Sequence, residues 1–589
     1  MRTDPRQEYT RRLDGRRSAF TVEERKHLRM GQVRLAIVVA AAIIAWQAFR
    51  AETISGWWLL APVGAFLVAL SYHQRIIRRM EIAKRAVIFY ERAIDRLDGN
   101  WAGHGDPGAR FRNPQHPYAE DLDLFVSGGL FELLSSARTR AGENTLASWL
   151  GKPSPIEILR ARHQAIDELR DKLDLREDLF ILGGDVSTGV NPEALIEWAV
   201  RPLVCQSRAQ RGMLTTLGAA GLVLLCFLVA SEFDGTWQRI AMLVIVLVNL
   251  GVMFLYRHVV AHVTSALDQP AQDLALFSAV LARIEREQFQ SPLLSRLRAD
   301  LSTDGRPASQ RIARLNRLVE LIDSRDNFFV RLLEPVVLWT PQLIYAAEAW
   351  RARSGAYVPR WVAATGEIEA LASLAGYAFE HPADPFPELV DDAAVFDADS
   401  VSHPLLPAGV ANDVHLDTAQ PLLLISGSNM SGKSTLLRAV GVNALLALAG
   451  APVRARRLRI GNLNTGASIR VTDSLQQGSS QFYAEITRIR GILDLPRPTL
   501  FLLDELLHGT NSHDRLIGSE GIVRALLSRG AIGLVTTHDL ALAGIPNARN
   551  VHFEDRIENG KMLFDYRLRE GVVEHSNALD LMRAVGLDV

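Results

Sequence analysis

The stretch Pro421-Leu-Leu-Leu-Ile-Ser-Gly-Ser-Asn-Met-Ser-Gly-Lys-Ser-Thr435 decides the reading of this chain. Leu422 to Ser426 is a short apolar run of the kind buried in a parallel sheet. It passes directly into G-x-x-x-x-G-K-[ST], and the apolar sequence LLRAVGVNALLALAG that follows has the length of a helix. Strand, glycine-rich loop and helix in that order form a phosphate loop. Glycines let successive backbone N–H groups turn toward phosphate oxygens at a helix N-terminus. Gly427, Ser428, Asn429, Met430, Ser431, Gly432, Lys433, Ser434 and Thr435 are therefore the candidate nucleotide-binding residues. Lys433 supplies charge to the β and γ oxygens, and Ser434 is a candidate magnesium ligand.

Two further apolar runs extend the pattern. Thr499-Leu-Phe-Leu-Leu-Asp-Glu505 reads as a buried parallel strand ending in two carboxylates. Asp504 is placed for the magnesium shell and Glu505 for polarising an attacking water. The run Ala531-Ile-Gly-Leu-Val-Thr-Thr-His-Asp539 ends in His538, a candidate contact to the γ-phosphate. Loop, paired carboxylates and strand-end histidine in this order predict an α/β ATPase domain of the ABC-type P-loop NTPase class over residues 386–589. Its expected cofactors are ATP and Mg2+, and its candidate catalytic residues are Lys433, Glu505 and His538.

Finer features select within that class. GSNMSGKST, DSLQQGSSQFYAEI (Asp473 to Ile486), LLDELLHGTNSHD and TTHD together resemble the MutS mismatch-repair ATPases more than transporter ATPases. Asn429-Met430 inside the loop carries part of that resemblance. Ser480, Phe482 and Glu485 match the family's S-T-F-M-x-E, with Gln481 where threonine is usual. Gly509, Thr510 and Asp514 match the loop after the carboxylates, and YRLREGVVEHSNALDLMRAVGL resembles the family's closing segment. The resemblance implies a homodimer through the ATPase domains, in which Ser480 reaches the nucleotide of the opposite subunit. It extends upstream more weakly. Ser135 to Leu169 resembles the MutS core, with a T-x-x-G turn before a helix ending W-L-x-x-P. Ile368 to Ala375 resembles the helix that precedes the ATPase domain. The remainder is therefore expected to be an all-α MutS core and lever region.

What interrupts that region is apolar. Leu35–Phe49, Ile54–Tyr72, Met213–Ala230 and Ile240–Tyr256 contain no charged residue, and each pair reads as a transmembrane helical hairpin. Arg25, Lys26, Arg29 and Arg34 precede the first hairpin, while Arg75, Arg78, Arg79, Lys84 and Arg85 follow it; Arg208, Arg211 and Arg257 flank the second. The connectors carry little positive charge, which predicts a multi-pass protein of the inner (plasma) membrane with both termini and the ATPase domain cytoplasmic. The expected order is a basic N-terminal segment (1–32), hairpin 1 (33–73), first lever and core half (74–210), hairpin 2 (211–257), second half (258–385) and ATPase domain. Ile76, Met80, Ala83, Val87, Tyr90, Ile94 and Leu97 predict a coiled-coil seam leaving the first hairpin. Residues 98–118 read as loop, and helical patterns resume from Asp121 to Leu182.

Bulk properties agree. Against 65 Lys+Arg stand 66 Asp+Glu, a net charge of -1 that excludes binding nucleic acid by bulk charge. Mean hydropathy of +0.07 lies between soluble proteins and polytopic transporters. Cys205 and Cys226 are too few for a disulfide framework. The expected partners are a second copy and the lipid bilayer, with double-stranded DNA as a candidate. DNA is favoured by the family resemblance and weakened by three features. Phe89-Tyr90-Glu91 reads as helix packing rather than a duplex wedge. The first hairpin stands where a mismatch-reading domain would be. The second stands where a DNA clamp would be. Arg454, Arg456, Arg457 and Arg459 form a basic cluster that could meet DNA or anionic lipid, or simply face solvent. Three functions compete: DNA repair or recombination, a membrane-tethered mechanical switch, and a transporter, the last opposed by the lack of intramembrane charge.

Overall fold

The computed structural model describes residues 4–51, 53–183, 192–204, 207–230, 236–267, 271–391, 393–428, 430–470, 481–507, 512–538, 542, 544–558 and 561–572. These form two compact units: one of 1–134, 153–156 and 376–589, the other of 135–152 and 157–375.

The first unit contains two sheets. The larger has six strands in the order Lys561–Glu570, Ala548–Glu558, Leu422–Ser426, Ile532–Thr536, Thr499–Asp504, Asn464–Ser468. All neighbours pair in parallel except the hairpin of the first two. Leu422–Ser426 and Ile532–Thr536 are buried throughout, as strands covered on both faces must be. The smaller sheet orders Glu388–Val390, Arg457–Gly461, Phe396–Val401, Asn412–Leu416. Helix Lys433–Ala449 is buried along most of its length and ends at Gly450 with φ +95°, a left-handed cap.

Two long helices, Pro5–Phe49 and Leu60–Asp98, belong to the same unit and pair antiparallel. The predicted basic segment 1–32 is thus continuous with the first apolar run. Ile76, Ala83 and Tyr90 of the predicted seam are buried, and Ala86, Phe89 and Ala93 widen it beyond heptad spacing. Tyr90 is fully buried, with the Tyr9 ring 5.9 Å away, and Glu91 pairs with Arg17 at 2.8 Å. Phe89-Tyr90-Glu91 is therefore a packing element. Tyr9 also packs at 5.2 Å, tilted, against Phe379 and donates to Glu380, which receives Arg96 through two N–H groups.

Residues 121–129 differ from the helical expectation. Asp123 (φ +52°) and Gly128 (φ +74°) take left-handed backbone, and helix begins only at Leu130. The segment is held instead by the C-terminal α/β domain. Asp121 is fully buried, accepts from the N–H groups of Ile469 (2.8 Å) and Arg470 (2.7 Å), and pairs with Arg488. Beside it Leu122 packs so closely on Gly441 that a Cβ there would lie 2.6 Å from it.

Among its described residues the second unit has helices and one pair of two-residue strands. It brings together the two upstream segments that carry the family resemblance. Thr139 caps helix Arg140–Gly151 by accepting from the Gly142 N–H, and its hydroxyl donates to Glu369. Ser136 meets Ser373, and Gly142 leaves no room for a side chain against Glu369. The Arg162 guanidinium lies 3.6 Å from the Trp149 ring centroid.

Across both units, four described helices are long and apolar enough to cross a membrane: Pro5–Phe49, the one within Gly56–Asp98, Ala209–Val229 and the one within Thr236–Ala261. The apolar windows of these helices are mostly exposed.

Candidate active site

Three parallel strands deliver their carboxyl ends to one place. Thr536 stands opposite both Ile425 and Asp504, so the phosphate-loop strand and the carboxylate strand flank the strand leading to His538. The crevice outside such strand ends is where a helix N-terminus and loop side chains converge.

The loop is shaped by left-handed backbone at Gly427 (φ +147°), Met430 (φ +68°) and Gly432 (φ +106°). At Gly427 a Cβ would meet the Ser431 hydroxyl at 2.9 Å, so glycine is required on both counts. Lys433 opens the helix and is 5% exposed. Its ammonium donates to the carbonyls of Gly427 and Ser428, both at 2.9 Å, and lies 3.7 Å from Glu505 and 3.4 Å from His538. His538 Nε2 is 2.7 Å from Glu505 Oε1. Burial lowers the Lys433 pKa, opposed by the charges of Glu505 and Asp504. The lysine is thus held by carbonyls and a carboxylate, groups that anionic phosphate oxygens can replace.

The residues fit a bound triphosphate. The hydroxyls of Ser428 and Ser431 are buried without a hydrogen-bond partner among the described residues, a cost that an oxygen-rich ligand in the loop would relieve. Ser434 and Thr435 line a cavity of about 570 Å3 with Lys433 and Glu505, and Val401, Leu406, Pro407 and Phe553 are among its apolar lining residues. Such a mixture of charged, hydroxyl and apolar walls suits a ligand with phosphates and a base. His403, which also lines the cavity, is pushed down to about 4 by burial.

Several supports were not legible in the motifs. Thr536 Oγ1 donates to Asp504 and accepts from the Glu505 N–H at 3.0 Å, fixing the Asp504 carboxylate and the Glu505 backbone from the neighbouring strand. Glu505 (φ +47°) and Leu507 (φ +57°) are left-handed, which is costly for such residues. The Leu507 N–H is held at 2.7 Å by buried Glu485, so the glutamate of the S-x-F-x-x-E segment braces the turn that presents Glu505. Tyr566 packs over Gly432, and its carbonyl accepts from Asn412 at 3.0 Å. Register explains Thr536; the Tyr566 and Asn412 contacts have no sequence signal because the strands that supply them are far apart in the chain. Asn429, Ser480, Gly509 and Thr510 lie outside the described residues.

The basic cluster is neutralised. Arg454 pairs with Asp384 (3.1 Å), Arg456 with Asp399 (3.6 Å), Arg457 with Glu388 (3.5 Å) and Asp397 (3.9 Å), and Arg459 with Glu388 (3.6 Å). The pairs of Arg457 and Arg459 run across strands of the four-stranded sheet, while Arg454 and Arg456 lie just before its strand Arg457–Gly461; this agrees with the solvated-face reading.

Fold and loop together define a phosphate-loop ATPase-type domain. Residues 423–588 match the family model of MutS domain V. Among curated proteins, Endonuclease MutS2 of Thermus thermophilus is 36% identical over 194 residues, covering 31% of this chain and 25% of that protein. Residues 423–588 thus form a domain of the MutS domain V type, and the chain spans about a quarter of that relative's length.

Proposed function

We propose that the chain is a membrane-anchored MutS-type ATPase in which binding and hydrolysis of ATP close and open a dimer of the C-terminal domains. The reading is carried by the cluster of Lys433, Glu505 and His538 at the ends of three parallel strands, beside a cavity that Lys433 and Glu505 line together with apolar side chains. Backbone N–H groups of residues 427–435 at the helix N-terminus cradle the phosphates. Lys433 exchanges its two carbonyl contacts for phosphate oxygens. Ser434 and Asp504 hold magnesium, with Thr536 orienting Asp504. The metal, when bound, supplies neutralisation of the β and γ oxygens. Glu505 takes the proton of the attacking water, and His538 leaves Glu505 to meet the γ-phosphate. Ser480 completes the site of the partner subunit. Four apolar helices in two hairpins anchor the chain in the inner membrane, with the ATPase domain cytoplasmic.

The substrate coupled to this cycle is mismatched or branched DNA on the family reading. A second reading, a membrane-tethered mechanical switch acting on proteins or lipids, is favoured by two observations: the arginines at 454–459 are paired with acids, and Phe89 and Tyr90 are buried. ATP hydrolysis by the full chain in nanodiscs, with and without linear, branched and mismatched duplex, separates them. Stimulation by DNA supports the first, and indifference to every DNA supports the second. Glu505→Gln should bind ATP but turn over at least about a hundredfold more slowly, the scale for removing a positioned base. Undiminished turnover in that variant would exclude Glu505 as the base.

A further inference from the structure

At the foot of the second hairpin lies a cavity of about 770 Å3 within the helical unit, lined by Arg211, Arg306, Arg311, Arg314 and Arg353, with Asp304 the acid among its lining residues. Asp304 is engaged by Arg311 at 3.2 Å. Arg311 also reaches the Thr303 carbonyl (2.9 Å) and Ser354 (3.3 Å), yet its Nε is buried with no partner among the described residues. Arg211, Arg306, Arg314 and Arg353 make no ion pair among the described residues. Guanidinium groups converging on one space repel, and an anion in that space removes the repulsion.

The position of the cavity identifies the anion. Arg211 stands in the first turn of helix Arg208–Ala230. Helix Phe328–Val337 crosses that helix at Gly218 and Gly221, where the carbonyls of Val337 and Val336 leave no space for a side chain. Asn249 of the second hairpin helix donates to the carbonyls of Pro335 (2.8 Å) and Val336 (3.1 Å). On its other side the crossing helix exposes Phe328 (72%), Phe329 (72%) and Leu332 (65%). An exposed aromatic and aliphatic face on a short helix docked to the apolar part of a hairpin suits acyl chains. Arg211 lies two residues before the apolar run Met213–Ala230, about 3 Å along a helix, so Arg211 and the cavity it lines sit at headgroup depth. A concave space of this size admits a headgroup, whereas a duplex presents its phosphates on a convex rod.

We propose that this cavity binds the phosphate of an anionic phospholipid in the cytoplasmic leaflet, seating the foot of the second hairpin on the membrane surface. The proposal rests on the reading that the hairpin spans the bilayer. The chemistry recognised is a phosphate ester among arginines, which free phosphate could share. The test uses the full chain in nanodiscs of phosphatidylcholine containing phosphatidylglycerol, followed by detergent extraction and mass spectrometry of retained lipid. Phosphatidylglycerol should be enriched over phosphatidylcholine. The double variant Arg306→Gln/Arg314→Gln should lower its affinity about 30-fold, at about 1 kcal/mol per arginine near an anionic surface. The variant Arg306→Lys/Arg314→Lys should restore much of the binding, which a misfolded cavity would not. Equal retention of both lipids, or enrichment untouched by the glutamine variant, overturns the proposal. So does displacement of the lipid by inorganic phosphate or by short duplex DNA, which would reassign the site. Alkaline extraction of the same membranes separates the two levels: release of the chain defeats the membrane reading itself, whereas firm retention without lipid preference defeats only the cavity.

Discussion

Thr536 contributes one hydroxyl, and that hydroxyl touches both the Asp504 carboxylate and the Glu505 N–H. Replacing it with valine keeps the volume and strand propensity but frees the carboxylate and leaves a buried donor unpaired, at about 1–3 kcal/mol. Thr536→Val should therefore lower kcat by about tenfold or more, with a smaller change in KM, as steady-state kinetics will show. Lys433→Ala should act on binding instead, because it removes the charge facing the phosphates; equilibrium nucleotide titration checks this. Glu369 carries a different prediction. Burial pushes its carboxyl up to about 7, above the ordinary 4.5, although Thr139 donates to it. Between those values the folded protein keeps a proton that the unfolded chain releases. Stability from this group is thus greatest below pH 4.5, falls as pH rises toward 7, and is constant above; the span is about 3 kcal/mol. Glu369→Gln, which mimics the neutral acid, should flatten thermal unfolding midpoints measured between about pH 5 and 7.5.

At the scale of elements, the segment 121–129 shows how a short polar stretch can be fixed by a distant domain. Asp121 meets two backbone N–H groups and Arg488, the last on the helix Gln481–Leu493 that directly follows Ser480. Asp121→Ala would leave Arg488 and both N–H groups without their carboxylate, at about 3–5 kcal/mol for breaking a buried pair. The thermal midpoint of the full chain should fall by several degrees, and an unchanged midpoint would mean the segment is only loosely docked. In the long paired helices, heptad spacing points to seven positions, of which Ile76, Ala83 and Tyr90 are buried and Met80, Val87, Ile94 and Leu97 only partly so. It could not point to Ala86, Phe89 and Ala93, because their burial depends on a neighbouring helix whose identity the spacing does not contain. Helix Phe328–Val337 was equally hidden: ten residues are too few to read as a span, and its exposed phenylalanines make sense only once the hairpin beside it is seen.

For the molecule as a whole, the chain passes between two compact units, each with one apolar hairpin. If both hairpins are inserted, alkaline carbonate should leave the protein in the membrane pellet. On the proposed cycle, Glu505→Gln with ATP should raise the mass of the nanodisc-free protein to that of two chains by light scattering, because blocked hydrolysis would hold the closed dimer. The sequence alone determined the phosphate-loop end of the protein. Lys433, Ser434, Asp504, Glu505 and His538 are legible because strand, loop and helix are contiguous, so local spacing carries the chemistry. It also determined the apolar runs, since the length of a membrane span is a property of consecutive residues. Only the tertiary structure decided what neutralises Arg454 to Arg459, what holds Asp504 and Glu505, and which arginines converge beside the second hairpin. Each of those depends on partners brought in from other strands and helices, where long-range packing, and not chain order, sets which charges meet.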